Sequence, residues 1–269
     1  MNRKLLGSTL FAFALVCGGT QLRAQGVVSA ASPEAAAAGR EILDAGGNAV
    51  DAAVAVAFSL AVTEPAMSGL GAGMQMLLMA PGKEPLVLNG TTFAPASTPS
   101  SAEPSKLKGH QLSTIPTTVK TLDHAWQRHG SGKISWPQLL APAIRHAEEG
   151  FVIGPFRSKV MQRHLKDLQA SPSAREYFLN PNGTLPAEGT RWKQPVLART
   201  LRRLAEHGAD DFYRWPQPSA KASGRRYAES RAQDGRADQQ GNRRATRWQG
   251  VPVRPRTFPS SIRAEWPSP

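Results

Sequence analysis

The 269-residue sequence predicts an α+β or layered α/β/β/α fold, and three features carry that prediction. Residues 52–63 are uncharged and show no polar stripe, so they read as a helix buried on all sides. Met74 to Met79 and Pro85 to Leu88 flank a Pro81-Gly82 turn, as the strands of a hairpin do. A run of short helices follows, each with its own start and stop signals.

Residues 1–24 come first and read as an export signal. Asn2-Arg3-Lys4 is the charged start, Leu5 to Cys17 the apolar run, and Leu22-Arg23-Ala24 the cleavage end. The apolar run is too short for a bilayer span of about 20 residues; a short N-terminal anchor is the alternative. The mature protein is therefore expected to be periplasmic or secreted, without membrane attachment after cleavage. Cys17 is the only cysteine, so the mature chain has no thiol for a disulfide, a nucleophile or a metal.

Ser32-Pro33-Glu34 opens a helix to about Ala45, since serine caps, proline suits the first helical position and the acid complements the dipole. Gly46-Gly47 stops it. Asn48 caps the next helix, with Asp51 where a capping-box acid stands. Glu64-Pro65 ends that helix, because the residue before proline is driven out of helical geometry. The glycines of Ser68 to Gly73 lead into the hairpin. Their order is helix, glycines, strand, whereas a dinucleotide-binding loop needs strand, glycines, helix. Thr117 or Thr118 can cap a helix to about Arg128, and Ser135-Trp136-Pro137 opens another to Glu149, closed by Gly150. Helices are also expected over 155–168, 172–178 and 195–207.

The polar candidates have ordinary readings. His110, His124, His129, His146, His164 and His207 show no metal-ligand spacing, so no metal site and no cofactor are expected. Glu148-Glu149 are neighbours on a helix and point apart. Arg199, Arg202 and Arg203 mark a charged outer helix face. Asp51 opens a buried helix, and capping explains it.

The stretches GGNAVDAAVAVAFSLAVTEPAMSGLGAG (46–73), GKEPLVLNGTTFAPAST (82–98), TIPTTVKTLDHAWQRHG (114–130), SWPQLLAPAIRHAEEGF (135–151) and GADDFYR (208–214) resemble, in order and spacing, landmarks of the gamma-glutamyltransferase (glutathione hydrolase) family. The resemblance covers residues 25–214, the front of that family's large subunit. It implies an N-terminal-nucleophile hydrolase sandwich, two facing sheets between helical layers, of which this chain holds an incomplete part. It implies the transfer of a gamma-glutamyl group from glutathione-type amides to water or an amino acid, by a threonine that attacks with its own α-amine as base. Thr91-Thr92 and Thr117-Thr118 do not fit the nucleophile's motif, so no catalytic residue is assigned and the chain alone is expected to be inactive. A small subunit would complete it as partner for a gamma-glutamyl small molecule. Aligned on Ala94-Pro95, Thr91 stands where many members carry the arginine that grips the glutamyl α-carboxylate. That substitution leaves an acylase-like relative acting on another amide as the alternative, and a non-catalytic binding remnant as a third reading.

The tail, 215–269, breaks the pattern. It holds ten arginines, one lysine and four acids, which is +7 of the total +13, and only three aliphatic residues, Val251, Val253 and Ile262. It cannot bury enough apolar surface to offset its ordering entropy. It reads as disordered and as an out-of-frame translation of the gene's remainder. The rival is an Arg-rich tail that binds nucleic acid or an acidic surface; on the leading reading no nucleic-acid partner is expected, because the excess charge is not a patch on a folded surface.

Overall fold

The computed structural model describes residues 26–95, Thr98, 103–107, 112–214 and 263–265. The expected signal, Cys17, His110 and most of the tail lie outside the described residues.

Helix α1 is Pro33–Asp44 and α2 is Ala49–Thr63, and both start as the sequence predicts. The Ser32 hydroxyl accepts from Ala35 N, and lies 2.8 Å from the Thr63 hydroxyl. The Asn48 side chain accepts from the amides of Val50 and Asp51 while Asn48 N donates to Asp51 Oδ2, which completes a capping box. Packing of α2 against α1, α4 and α5 holds this alanine- and valine-rich helix in place. Phe58, Val54 and Val62 are fully buried, and each such burial is worth about 1.5–3 kcal/mol. Burial is not complete on all sides, however: Ala53, Val56, Ala57 and Leu60 form one half-buried stripe at helical spacing.

After Glu64 the chain takes one more turn, α3 (Pro65–Ser68), where the sequence indicated only a loop; proline at a first helical position permits it. Strands β1 (Met74–Leu78) and β2 (Leu86–Gly90) form the expected antiparallel hairpin, with Met74 opposite Gly90 and Leu78 opposite Leu86. Alternation puts Met74, Met76, Leu78, Leu86 and Leu88 against the core. Gln75, Leu77, Val87 and Asn89 take the other face.

Helix α4 is Thr118–His129 and α5 is Trp136–Glu149. Trp136 packs edge-on against Phe58 at 5.4 Å and donates its indole N–H to Leu204 O. A two-stranded ribbon that the sequence did not announce follows, β3 (Phe151–Val152) with β4 (Arg191–Trp192). Gly150 makes it possible. Its φ is +84°, and a Cβ there would stand 2.8 Å from Trp192 O. Between these strands lie α6 (Pro155–Arg163), α7 (Leu165–Ala170) and α8 (Pro172–Phe178). The single helix expected over 155–168 is thus broken at His164. Helix α9 (Pro195–His207) packs on α5, and α10 (Ala209–Arg214) packs on α4 and α9.

Strand β5 (Arg263–Glu265) runs parallel to β2, with Ala264 opposite Val87. The expectation of an unstructured tail fails at these three residues. Pairing at a sheet edge uses backbone N–H and C=O groups and so does not require apolar side chains. The described residues hold an α+β unit with helices against one face of the hairpin. A second, facing sheet is not among them.

Candidate functional site

Thr91 follows β2 directly, at a corner built by three segments. The glycine-rich loop before β1 and the first turn of α4 supply the other two. Gly90 permits the approach. A Cβ on it would overlap the Thr121 hydroxyl of α4 and stand 2.9 Å from Met74 O. The loop carbonyl of Ala72 accepts from Thr117 N at 3.0 Å, Thr118 N at 3.1 Å and the Thr118 hydroxyl at 2.8 Å. The Thr117 hydroxyl donates to Gly90 O, and the Thr121 hydroxyl to Thr117 O at 2.9 Å.

On the outer side of this corner stands an uncharged polar cluster. Asn89 Oδ1 accepts from the Thr91 hydroxyl at 2.7 Å, from Thr91 N at 3.2 Å and from Gln75 Nε2 at 3.2 Å. Gln75 and Asn89 are directly opposite on the hairpin, so their side chains share a face. A threonine hydroxyl and two amides can hold a polar neutral group by hydrogen bonds. They cannot supply the charge-assisted pair that a guanidinium gives a carboxylate. The sequence singled out Thr91 alone; Gln75 and Asn89 join it only through the hairpin register.

The other singled-out residues scatter. Asp51 is fully buried, and its Oδ2 accepts from Ser131 N at 3.0 Å as well as from Asn48 N, while Asn48 Nδ2 donates to His129 O at 2.8 Å. It caps α2 and also clamps the turn after α4. Glu148 faces Arg202, whereas Glu149 is exposed. Arg203 forms a two-pronged pair with Asp211 at 2.7 and 2.8 Å, which holds the Asp211 carboxyl below its ordinary range. Arg199 is exposed. Burial pushes the His146 imidazole down. Among the described residues no group of three or more His, Cys, Asp or Glu is placed to hold a metal ion. Nor is any helix there long and apolar enough to cross a membrane.

Two buried features escaped sequence reading. Arg157 Nη2 donates to Glu64 Oε1 at 3.1 Å and Nη1 to Val152 O at 3.1 Å, with the guanidinium 4.2 Å over the Phe151 ring. Gln194, 1% exposed, donates to Val62 O and accepts from the Tyr177 hydroxyl. Both tie the end of α2 to the segment 151–194. Their partners are far apart in sequence, so no local pattern marks them.

Comparison with known proteins places this arrangement. The family described as Gamma-glutamyltranspeptidase matches residues 35–217. The glutathione hydrolase proenzyme of Pseudomonas aeruginosa is 36% identical over 199 residues, covering 70% of this chain and 34% of that protein. The acylase ACY 1 proenzyme of Pseudomonas sp. (strain SE83) is 33% identical over 204 residues, covering 70% of this chain and 36% of that protein. The solved structure of Helicobacter pylori gamma-glutamyltranspeptidase superposes with a TM-score of 0.66 at 28% identity, over 70% of this chain and 56% of that one. The chain thus spans about one third of the length of the curated relatives it matches. With the capped helix α2, the glycine-rich loop, the hairpin and the α4 and α5 helices in place, the chain belongs to the gamma-glutamyltranspeptidase family.

Proposed function

We propose that this chain supplies one wall of an amide-cleaving acyl-transfer site. There a gamma-glutamyl group, or a neutral acyl group in its place, passes from an amide to water or an amino acid. The observation that carries the reading is the Gln75–Asn89–Thr91 cluster at the edge of an open sheet face, in a chain of this family. The substrate's acyl end lies against Thr91, and the attacking threonine comes from a segment beyond the matched region. The described threonines favour that division of labour. The hydroxyls of Thr91, Thr117, Thr118 and Thr121 each donate to a carbonyl or amide oxygen, and a nucleophile needs a base instead. Export through residues 1–24 would place the reaction outside the cytoplasm.

The neutral cluster favours the second reading, an acylase acting on an uncharged acyl amide. Hydrogen bonds to charged groups are worth about 1.5–3 kcal/mol against about 1 kcal/mol for neutral ones. The test compares the chain alone with the chain joined to the remaining part of the Pseudomonas aeruginosa relative, on a gamma-glutamyl anilide and on a neutral acyl anilide. The chain alone is expected to release no aniline, and the joined protein to prefer the neutral acyl group. Thr91→Arg is expected to shift the ratio toward gamma-glutamyl by about tenfold, the factor that about 1.4 kcal/mol represents. Turnover by the chain alone would sink the division of labour. An unchanged ratio would sink the role of Thr91.

A further inference from the structure

Helix α4 begins in an unusual way. Thr117 is its N-cap, and a threonine there ordinarily turns its hydroxyl back to accept from an amide of the first turn. Thr117 makes no such bond. Its hydroxyl points the other way and donates to the carbonyl of Gly90, the residue before Thr91. The next residue follows suit, since the Thr118 hydroxyl donates to Ala72 O. Both threonines at the head of α4 therefore serve the hairpin and the glycine loop, and an amide of the first turn is left for another partner.

That partner comes from α10. The Tyr213 hydroxyl accepts from Lys120 N at 3.0 Å, across 93 residues of sequence. Lys120 is the third residue of α4, the position whose amide a threonine cap would ordinarily serve. Helix α10 is held for this task at two other points. Lys120 Nζ reaches Asp210 at 2.9 Å, and Arg203 of α9 grips Asp211 with both prongs. Phe212 packs edge-on against Tyr213 at 5.2 Å. Burial pushes the Tyr213 phenol up to about 12, so it stays a neutral hydroxyl throughout the working pH range.

We infer that Tyr213 is a positioning residue for the Gly90–Thr91 corner. It supplies from α10 the helix cap that Thr117 forgoes, and so leaves the Thr117 hydroxyl on the Gly90 carbonyl. The inference rests on the reading of Thr91 as the substrate-facing residue. Its physical core is a competition between two rotamers of one side chain, since the rotamer that donates to Gly90 O makes no cap bond. If the phenol is removed, Lys120 N is orphaned, and Thr117 is the nearest group in sequence that can turn to it. Gly90 O is then released and Thr91 loses its fixed position.

The experiment uses the full chain, isotope-labelled, and follows the amides of Lys120 and Thr91 and the carbonyl carbon of Gly90 by NMR. In the unaltered protein the Lys120 amide is expected to exchange slowly, as a bonded amide does. Exchange as free as that of an exposed first-turn amide would overturn the inference without any variant. In Tyr213→Phe, which keeps the ring, Lys120 exchange is expected to rise about fivefold to tenfold, as for the loss of a bond worth about 1 kcal/mol. The Gly90 carbonyl and Thr91 amide signals are expected to move with it. A change confined to Lys120 would reduce Tyr213 to a purely structural cap. In Thr117→Val, which has no hydroxyl to redirect, adding Tyr213→Phe is expected to leave Gly90 and Thr91 where the single variant put them. Additive shifts would overturn the competition. None of these signals needs a substrate. A failed anilide assay therefore sinks the proposed function and the substrate-facing role of Thr91 while the coupling of Tyr213 to Gly90 and Thr91 stands, and unmoved Gly90 and Thr91 signals sink the coupling while the proposed function stands.

Discussion

Glu64 and Arg157 show how much a single pair of residues can decide. Both side chains are almost fully enclosed, and they meet at the point where α2 ends and α3 begins. Burial pushes the guanidinium down, and the Glu64 carboxylate opposes that shift. A buried pair is expensive to break from one side, because the surviving charge is left without water or partner; the usual cost is about 3–5 kcal/mol. Glu64→Ala is therefore expected to destabilise the chain by about that amount in urea titrations. Glu64→Leu combined with Arg157→Met is expected to recover much of it, since apolar replacements of similar volume can be neutral. Equal losses in the single and double variants would show that packing around the pair matters rather than its charge. In sequence, Glu64 is visible only as the residue before a proline.

At the scale of elements, the α4–α10 contact joins the candidate corner to the end of the matched region. Asp123 lies in it, 8% exposed, beside Lys120, His124, Asp210 and Gln127. Desolvation raises its carboxyl above the usual aspartate value, while the Gln127 amide at 2.8 Å and the Lys120 charge work against that rise. The fold thus favours the protonated form. The associated stability is fully present below pH 3.8, the ordinary aspartate value, and is lost as the pH rises through the raised one. Asp123→Asn, which keeps an oxygen for Gln127, is expected to raise the melting temperature at pH 7 relative to the parent. The gap should shrink toward pH 4. A gap independent of pH would remove the carboxyl's titration as the cause. The nearby Asp210 works in the opposite direction, held below its usual range by the hydrogen bond and charge of Lys120.

Two elements depart from the sequence expectation for physical reasons. The break at His164 is invisible to periodicity, and α7 beyond it buries no residue of its own. A helix without a buried face has little to keep it in line with its predecessor. The β3–β4 ribbon was missed because two-residue strands carry no alternation to detect. The caps at Ser32 and Asn48, by contrast, are local and act as read, whereas the first turn of α4 takes its partner from Tyr213.

For the whole molecule, the hairpin's second face governs solubility. Leu77 is 59% exposed and Met79 75% exposed, and Val87 stands opposite Leu77 on the same face. Helices cover the other side. Strand β5 pairs with the backbone edge of β2, but a facing layer is not among the described residues. Such an apolar face favours association. The chain is expected to self-associate with rising concentration in sedimentation experiments, and Leu77→Lys to reduce that association at unchanged helix content. A parent chain that stays monomeric and melts in one sharp transition would contradict the open face.

By itself the sequence determined the local grammar. It set the caps at Ser32 and Asn48, the stop at Gly150, the uncharged helix and the alternating hairpin, and, through their order, the family. These depend on backbone geometry and on neighbours within a few residues. Only the tertiary structure decided what those elements hold together. It gathered Gln75 and Asn89 around Thr91, joined Glu64 to Arg157, and brought Tyr213 to the head of α4. The last two pairs each span 93 residues, and no local preference encodes a bond over that distance. Such bonds form because burial leaves a polar group without water, and the nearest partner the packing offers is the one that satisfies it.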